Sequence, residues 1–196
     1  SCAYSLYELL IISIVLQNAV VRRSIQTMEA LFEKYGTKVR FDGKELYAFW
    51  EPESLHGATE EELRVLKVGY RAKFLKRISK TFANKEINEF KLRTLSKEEV
   101  KKELLKLYGV GPASVGILLF ELFHHYDAFD KVFPWEQKIY SRLLFGKDIV
   151  SPETILKEAD RRWGEWKMLA SHYIFEDLFW KRESQRIEWL EKLIRR

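Results

Sequence analysis

The sequence predicts an all-α protein. Three observations carry this: apolar residues recur at helical spacing along most of the 196 residues, strand signals are weak, and only four prolines interrupt the chain. Leu6 to Leu16 is apolar nearly all round, the mark of a buried central helix. Val20 to Tyr35 repeats apolar residues at helical spacing and stops at Gly36. Phe41 to Trp50 reads as a short helix or loop ended by Pro52. Thr59 with Glu62, and Ser96 with Glu99, have the spacing of capping boxes, in which two side chains satisfy the orphan N–H groups of a helix start. The first opens a short helix to about Leu66, the second a helix running toward Leu107, and Tyr70 to Phe82 between them is a basic helix. Ala113 to His124, Pro134 to Leu144, Pro152 to Ala159, Trp163 to Trp180 and Glu183 to Ile194 complete the set.

Apolar residues make up 46% of the chain, enough for a proper core, and Lys plus Arg number 34 against 29 Asp plus Glu. The resulting excess of +5 favours an anionic partner, although proteins rich in both Lys and Glu for thermal reasons share that balance. Cys2 is the only cysteine, which excludes an internal disulfide and a four-cysteine iron–sulfur cluster and points to a reducing, intracellular setting. The longest apolar stretch, Leu9 to Leu16, contains Ser13 and is too short to span a bilayer, so no membrane partner is expected. The sequence opens at Ser1 in mid-pattern, without Met, which reads as a trimmed start.

Residues 104–118 are the most informative segment. Leu104, Leu107, Gly109-Val110-Gly111-Pro112 and the apolar helix beyond them form the pattern L-x-x-L-x-G-V-G-P. Gly109 and Gly111 suit a tight reversal through backbone angles that other residues avoid, and Pro112 suits the first helical position, where a missing N–H costs nothing. Such a turn aims several backbone N–H groups at one point and makes an anion site. In a basic protein the anion is read as a DNA phosphate. The segment, within about 97–124, resembles a helix-hairpin-helix DNA-binding element.

Four further segments join it. Ile14-Val15-Leu16-Gln17-Asn18 precedes Val21-Arg22-Arg23; Gly69-Tyr70-Arg71-Ala72-Lys73-Phe74-Leu75 opens the basic helix; Ile139-Tyr140-Ser141-Arg142-Leu143 follows the hairpin; Trp163-Gly164-Glu165-Trp166-Lys167 runs on to Tyr173-Ile174-Phe175. In series these resemble the helix-hairpin-helix (HhH-GPD) DNA glycosylases, nearest their 3-methyladenine DNA glycosylase II branch. The resemblance covers nearly the whole chain. It implies a two-lobed helical fold with a cleft between the lobes: one lobe at 20–126, the other combining 1–19 with 127–196. It implies that Gln17 and Asn18 wedge into the duplex, with Arg22, Arg71, Lys73, Gly109, Gly111, Ala113 and Ser114 also at the DNA. It implies no cofactor beyond room for a monovalent cation at the hairpin, no metal, double-stranded DNA as partner, and a monomer.

The resemblance also names the chemistry. A base inside a duplex must be rotated out before its glycosidic bond can be reached. Positive charge then builds on the sugar, and a nearby carboxylate stabilises it. The family supplies one aspartate about twenty residues after the second hairpin glycine. Counting back from Arg142 puts that place at Phe133, a departure from the pattern. The nearby carboxylates are Asp130, ranked first, and Glu136, which sits in the first turn after Pro134, where the helix dipole would hold it ionised. Bifunctional members carry a lysine two positions after the second glycine, which attacks the sugar. Here that place is Ala113, so lyase chemistry is not expected from it, and Lys131 and Lys138 are the alternatives.

Aromatic residues make up 14% of the chain, and Trp135 and Trp166 are taken for the base pocket, since stacked rings grip a flipped base and favour a cationic one. His124 and His125 read as a helix cap and a surface residue, with no Cys or carboxylate spacing for zinc. Taken together the sequence predicts a DNA repair glycosylase that hydrolytically removes a damaged purine, an alkylated base first and an oxidised guanine second. The alternatives are a DNA-binding module that has lost catalysis, because Phe133 stands at the aspartate's place, and a lyase or base-excising nuclease on the same scaffold.

Overall fold

A computed structural model describes residues 5–194. Cys2 lies outside them. The chain divides into two compact units, Ser1–Leu122 and Phe123–Arg196.

The first unit is built on α1 (Leu6–Leu16), whose N-cap Ser5 accepts the Glu8 N–H and which buries Leu6, Leu9, Leu10, Ile11, Ile14 and Val15 to 4% exposure or less. Each such side chain contributes about 1.5–3 kcal/mol when removed from water. The helix is apolar all round because it is surrounded. It packs against α2 (Val21–Tyr35), α5 (Ala72–Ala83) and α8 (Pro112–Glu121). The expected lobes placed residues 1–19 with 127–196, whereas α1 makes its main contacts inside the first unit, whose boundary falls at Leu122. A buried polar cluster fixes its far side: Tyr7 Oη pairs with Ser79 Oγ at 2.9 Å and accepts the Trp50 indole N–H at 3.2 Å. Burial pushes the Tyr7 hydroxyl up to about 12.

Between α2 and α5 the chain forms β1 (Thr37–Phe41) and β2 (Lys44–Ala48), then the short helices α3 (Pro52–Gly57) and α4 (Glu60–Val65). The strands pair antiparallel, Thr37 with Ala48 through Phe41 with Lys44, where the sequence suggested a short helix or loop. Asp42 and Gly43 both have positive φ, 47° and 72°, the turn that Asp-Gly favours in a two-residue hairpin. All ten strand residues are exposed, so no alternation of buried and exposed positions marks them. The class remains all-α. The capping boxes form as the spacing predicts: Thr59 and Glu62 open α4, and Ser96 and Glu99 open α7 (Lys97–Leu104), which follows the short α6 (Glu89–Leu92).

The second unit contains α9 (Pro134–Phe145), α10 (Pro152–Trp163), α11 (Lys167–Ser184) and α12 (Glu188–Ile194). Phe129, Val132, Tyr140, Ile155 and Ala159 form its core, and Ile139, Leu178 and Leu190 form a smaller one. The fully buried Tyr140 hydroxyl is satisfied by Ser171 Oγ. No helix among the described residues is long and apolar enough to cross a membrane.

Candidate functional site

The hairpin joins α7 to α8. Leu107 N–H donates to Leu104 O at 3.1 Å and Val110 N–H to Leu107 O at 3.1 Å, closing the reversal. Gly109 adopts φ +87°, and a Cβ there would lie 2.8 Å from Phe74 Cγ. Only glycine fits that position. Gly111 differs from the expectation: with φ −110° and ψ 174° it is extended backbone, open to any residue, and a Cβ there meets nothing. The first hydrogen bond of α8 runs from Val115 N–H to Gly111 O at 3.0 Å, and no side chain caps the helix. The N–H groups of Ala113 and Ser114 therefore have no acceptor within the helix, and Pro112 has no N–H to place. This is the donor arrangement that an anion completes.

Aromatic rings floor the turn. Phe74 meets Tyr70 edge-on at 5.7 Å and Tyr108 at 5.3 Å, and the Arg77 guanidinium lies 3.9 Å over the Tyr108 ring. Lys73 is exposed on the same helix, as are Arg22 and Arg23 in the first turn of α2. Lys76, on α5 with Lys73, is engaged elsewhere, its Nζ donating to Ala58 O at 2.6 Å.

The end of α1 joins this region. Gln17 is half-buried and its Nε2 donates to Gly109 O at 2.7 Å. Asn18 is exposed, holds φ 48°, and donates Nδ2 to Tyr70 Oη at 3.1 Å. Arg71, expected at a phosphate, is a correction: it is 5% exposed, and its Nε and Nη2 donate to Gln17 O at 2.9 and 2.6 Å while Nη1 reaches Val68 O at 3.3 Å. A guanidinium enclosed by backbone carbonyls is not available to DNA.

In the second unit the two carboxylates have opposite environments. Asp130 is exposed and lies 4.0 Å from Lys167 Nζ, which also bonds Asp160 at 2.9 Å. Glu136 is half-buried in the first turn of α9, where its Oε2 accepts the Phe133 N–H at 2.9 Å. Among the described residues no Lys or Arg forms an ion pair with it. Burial raises its carboxyl above the ordinary value of 4.5, and the Phe133 N–H opposes this only in part. The helix dipole favours the ionised form of Glu136, and desolvation acts against it.

The two tryptophans have different surroundings. Trp135, beside Glu136, is 53% exposed and packs 5.4 Å from Phe175, which continues to Phe179 at 6.3 Å. Trp166 is 50% exposed and stacks on Tyr126 at 5.6 Å. It lines a concavity of about 480 Å³ with His124, His125, Asp127, Asp160 and Lys167, and Trp135 is not part of that lining. Lys131 sits 5.3 Å over the Phe133 ring, and Lys138 lines a separate hollow beside Arg142 and Trp189. Among the described residues no group of three or more His, Cys, Asp or Glu could hold a metal. Sequence reasoning passed over Lys167 and Phe175. Both stand in the Trp163–Phe175 segment that carries the resemblance, but neither was given a role there.

An all-α fold with an uncapped glycine hairpin is a scaffold suited to holding a phosphate. Residues 11–195 match the family model of the HhH-GPD superfamily base excision DNA repair protein, and the chain belongs to that family. It is 25% identical over 188 residues to a probable N-glycosylase/DNA lyase of Methanothermobacter thermautotrophicus, covering 86% of this chain and 59% of that protein. It is 22% identical over 151 residues to a DNA-3-methyladenine glycosylase of Bacillus subtilis, covering 75% and 48%. Among solved structures, the apo form of Clostridium acetobutylicum 8-oxoguanine glycosylase/lyase superposes with a TM-score of 0.73 at 30% identity, covering 86% of this chain and 59% of that one. The chain thus spans about half to three-fifths of the length of these relatives.

Proposed function

We propose that this protein is a DNA N-glycosylase that extrudes a damaged purine from duplex DNA and hydrolyses its glycosidic bond, with Glu136 as the charge-stabilising carboxylate. The observation that carries the proposal is the half-buried Glu136 in the first turn of α9, with no Lys or Arg ion-paired to it among the described residues. A carboxylate held on a helix and shielded from water stabilises a cationic sugar more strongly than one in solvent. Asp130, first in the sequence ranking, has the Lys167 ammonium beside it, which offsets its charge. Ionised Glu136 serves as the anion and orients the attacking water; the leaving base takes the bonding electron pair, and the proton the water loses on forming its bond to the sugar passes to solvent.

DNA is held at the hairpin through the Ala113 and Ser114 amides, with Lys73, Arg22 and Arg23 on exposed helix faces. Asn18 enters the duplex from its exposed, left-handed turn. A monovalent cation at the hairpin belongs to this reading, and the chemistry calls for no other cofactor. Ala113 in place of an amine nucleophile favours hydrolysis without strand cleavage. The aromatic rings of Trp135, Phe175 and Phe179, in the same unit as Glu136, favour a cationic, alkylated base. A second reading, oxidised guanine, is favoured by the 30% identity to an 8-oxoguanine glycosylase/lyase. The protein acts as an intracellular monomer. Incubation with duplexes each carrying one damaged base, scored separately for released base and for broken strand, tests the proposal. Release of none would favour the non-catalytic binding module.

A further inference from the structure

We infer that Arg71 is a positioning residue: its buried guanidinium ties the Gln17–Asn18 turn to the 68–71 segment and, through the Gln17 side chain, steadies it against the hairpin, so that the elements proposed to enter the duplex and to hold its phosphate move as one piece. The inference rests on the DNA-glycosylase reading above. Three of the guanidinium nitrogens donate to backbone carbonyls, two of them to Gln17 O and one to Val68 O. The residue so held passes the constraint on, because the Gln17 side chain bonds Gly109 O at 2.7 Å. Asn18, next in the chain, is bonded to Tyr70, the neighbour of Arg71. Three short segments, at 17–18, 68–71 and 109, are thereby joined into one bracket by one cation and the Gln17 side chain.

A buried cation that meets carbonyl oxygens, and no carboxylate among the described residues, is a costly way to fill space; an apolar side chain would fill it with less desolvation. The guanidinium offers instead a planar fork that stays charged at any working pH and fixes direction. Direction is what the proposed reaction needs. Unstacking a base resists insertion of a side chain, and the resistance must be borne by a mount anchored elsewhere on the duplex. The hairpin is that anchor, and the bracket is the mount. Cutting it leaves the phosphate contacts in place and uncouples them from extrusion.

The test separates binding from extrusion and needs no bond cleavage. A duplex carries 2-aminopurine beside a tetrahydrofuran abasic analogue; affinity is read by anisotropy and extrusion by 2-aminopurine fluorescence in stopped flow. Arg71→Met should bind within threefold of the wild type and extrude at least tenfold more slowly. Arg71→Lys, which can give one donor to Gln17 O, should recover part of the rate. Gln17→Ala leaves Arg71 in place at a half-buried position, so it remains informative should Arg71→Met fail to fold; its extrusion should slow at least fivefold. The double variant should be no slower than the slower single one, because one bracket can be cut only once. Wild-type extrusion in folded single variants, or a double variant whose loss is the product of the two, overturns the inference alone. A wild type that brightens no duplex overturns the glycosylase reading and the inference with it.

Discussion

The side-chain amide of Gln17 donates to the carbonyl of Gly109 at 2.7 Å, joining positions 92 residues apart in the chain. It links the end of α1 to the turn between α7 and α8, the two places the sequence singled out for DNA for separate reasons. Neither segment taken alone reveals the link, because it is a contact between a side chain and a remote backbone carbonyl.

The two hairpin glycines should part company under mutation. Gly109→Ala forces a side chain into the left-handed region and against Phe74, and should lower stability by about 1–3 kcal/mol. Gly111→Ala meets open space at an ordinary φ and should change stability by no more than about 0.5 kcal/mol in urea unfolding. Gly111→Glu, folded to the same extent, should weaken binding to any duplex, most at low salt. Equal destabilisation by the two alanines would contradict the geometry described for the turn.

Glu136 should shape the pH dependence of stability. Its folded-state pKa is raised by burial, so the folded protein holds that proton more tightly than the unfolded chain. The stabilisation is complete below the unfolded value and is lost as pH rises through the raised folded value. Glu136→Gln keeps an acceptor for the Phe133 N–H and carries no charge. It should therefore melt above the wild type at neutral pH, with the gap closing as pH falls below 4.5. Calorimetry across pH would show it; a gap that widens in acid would mean the carboxyl is not desolvated.

The same variant should be catalytically poor. Loss of a preorganised charge costs roughly two to four orders of magnitude in single-turnover base release. Asp130→Asn, beside Lys167, should cost less than about tenfold. The acid limb of the wild-type rate profile should sit above 4.5, since ionised Glu136 is the working form. If Asp130→Asn proves the more damaging change, the sequence ranking of the two carboxylates was the right one.

Borohydride should trap no covalent complex with damaged DNA. Ala113 has no amine, Lys167 is held by Asp160, and Lys131 rests on Phe133. A trapped adduct, mapped by peptide mass, would name the lysine that acts and replace hydrolysis by lyase chemistry.

Much of the fold was legible because its signals are local. The unbroken apolar run from Leu6, the Thr59–Glu62 and Ser96–Glu99 caps and the Gly109 turn all rest on residues within a few positions of each other. The β-hairpin was missed although Asp42-Gly43 signals it, because strands exposed on both faces leave no alternation to read. Arg71 was misplaced for the reverse reason. Its neighbours suggest a basic surface, and its burial depends on a carbonyl 54 residues away. Glu136 lies in the first helical turn that Pro134 marks, but the desolvation that raises its pKa was not legible, since the helix dipole is visible in sequence and burial is not.

The most direct test of the central claim is base release, measured by chromatography, from duplexes that each carry one lesion. The account predicts free alkylated purine, or failing that free oxidised guanine, with the phosphodiester backbone intact until alkali and heat are applied. Release of no base from any duplex, or strand breakage without alkali, would contradict it.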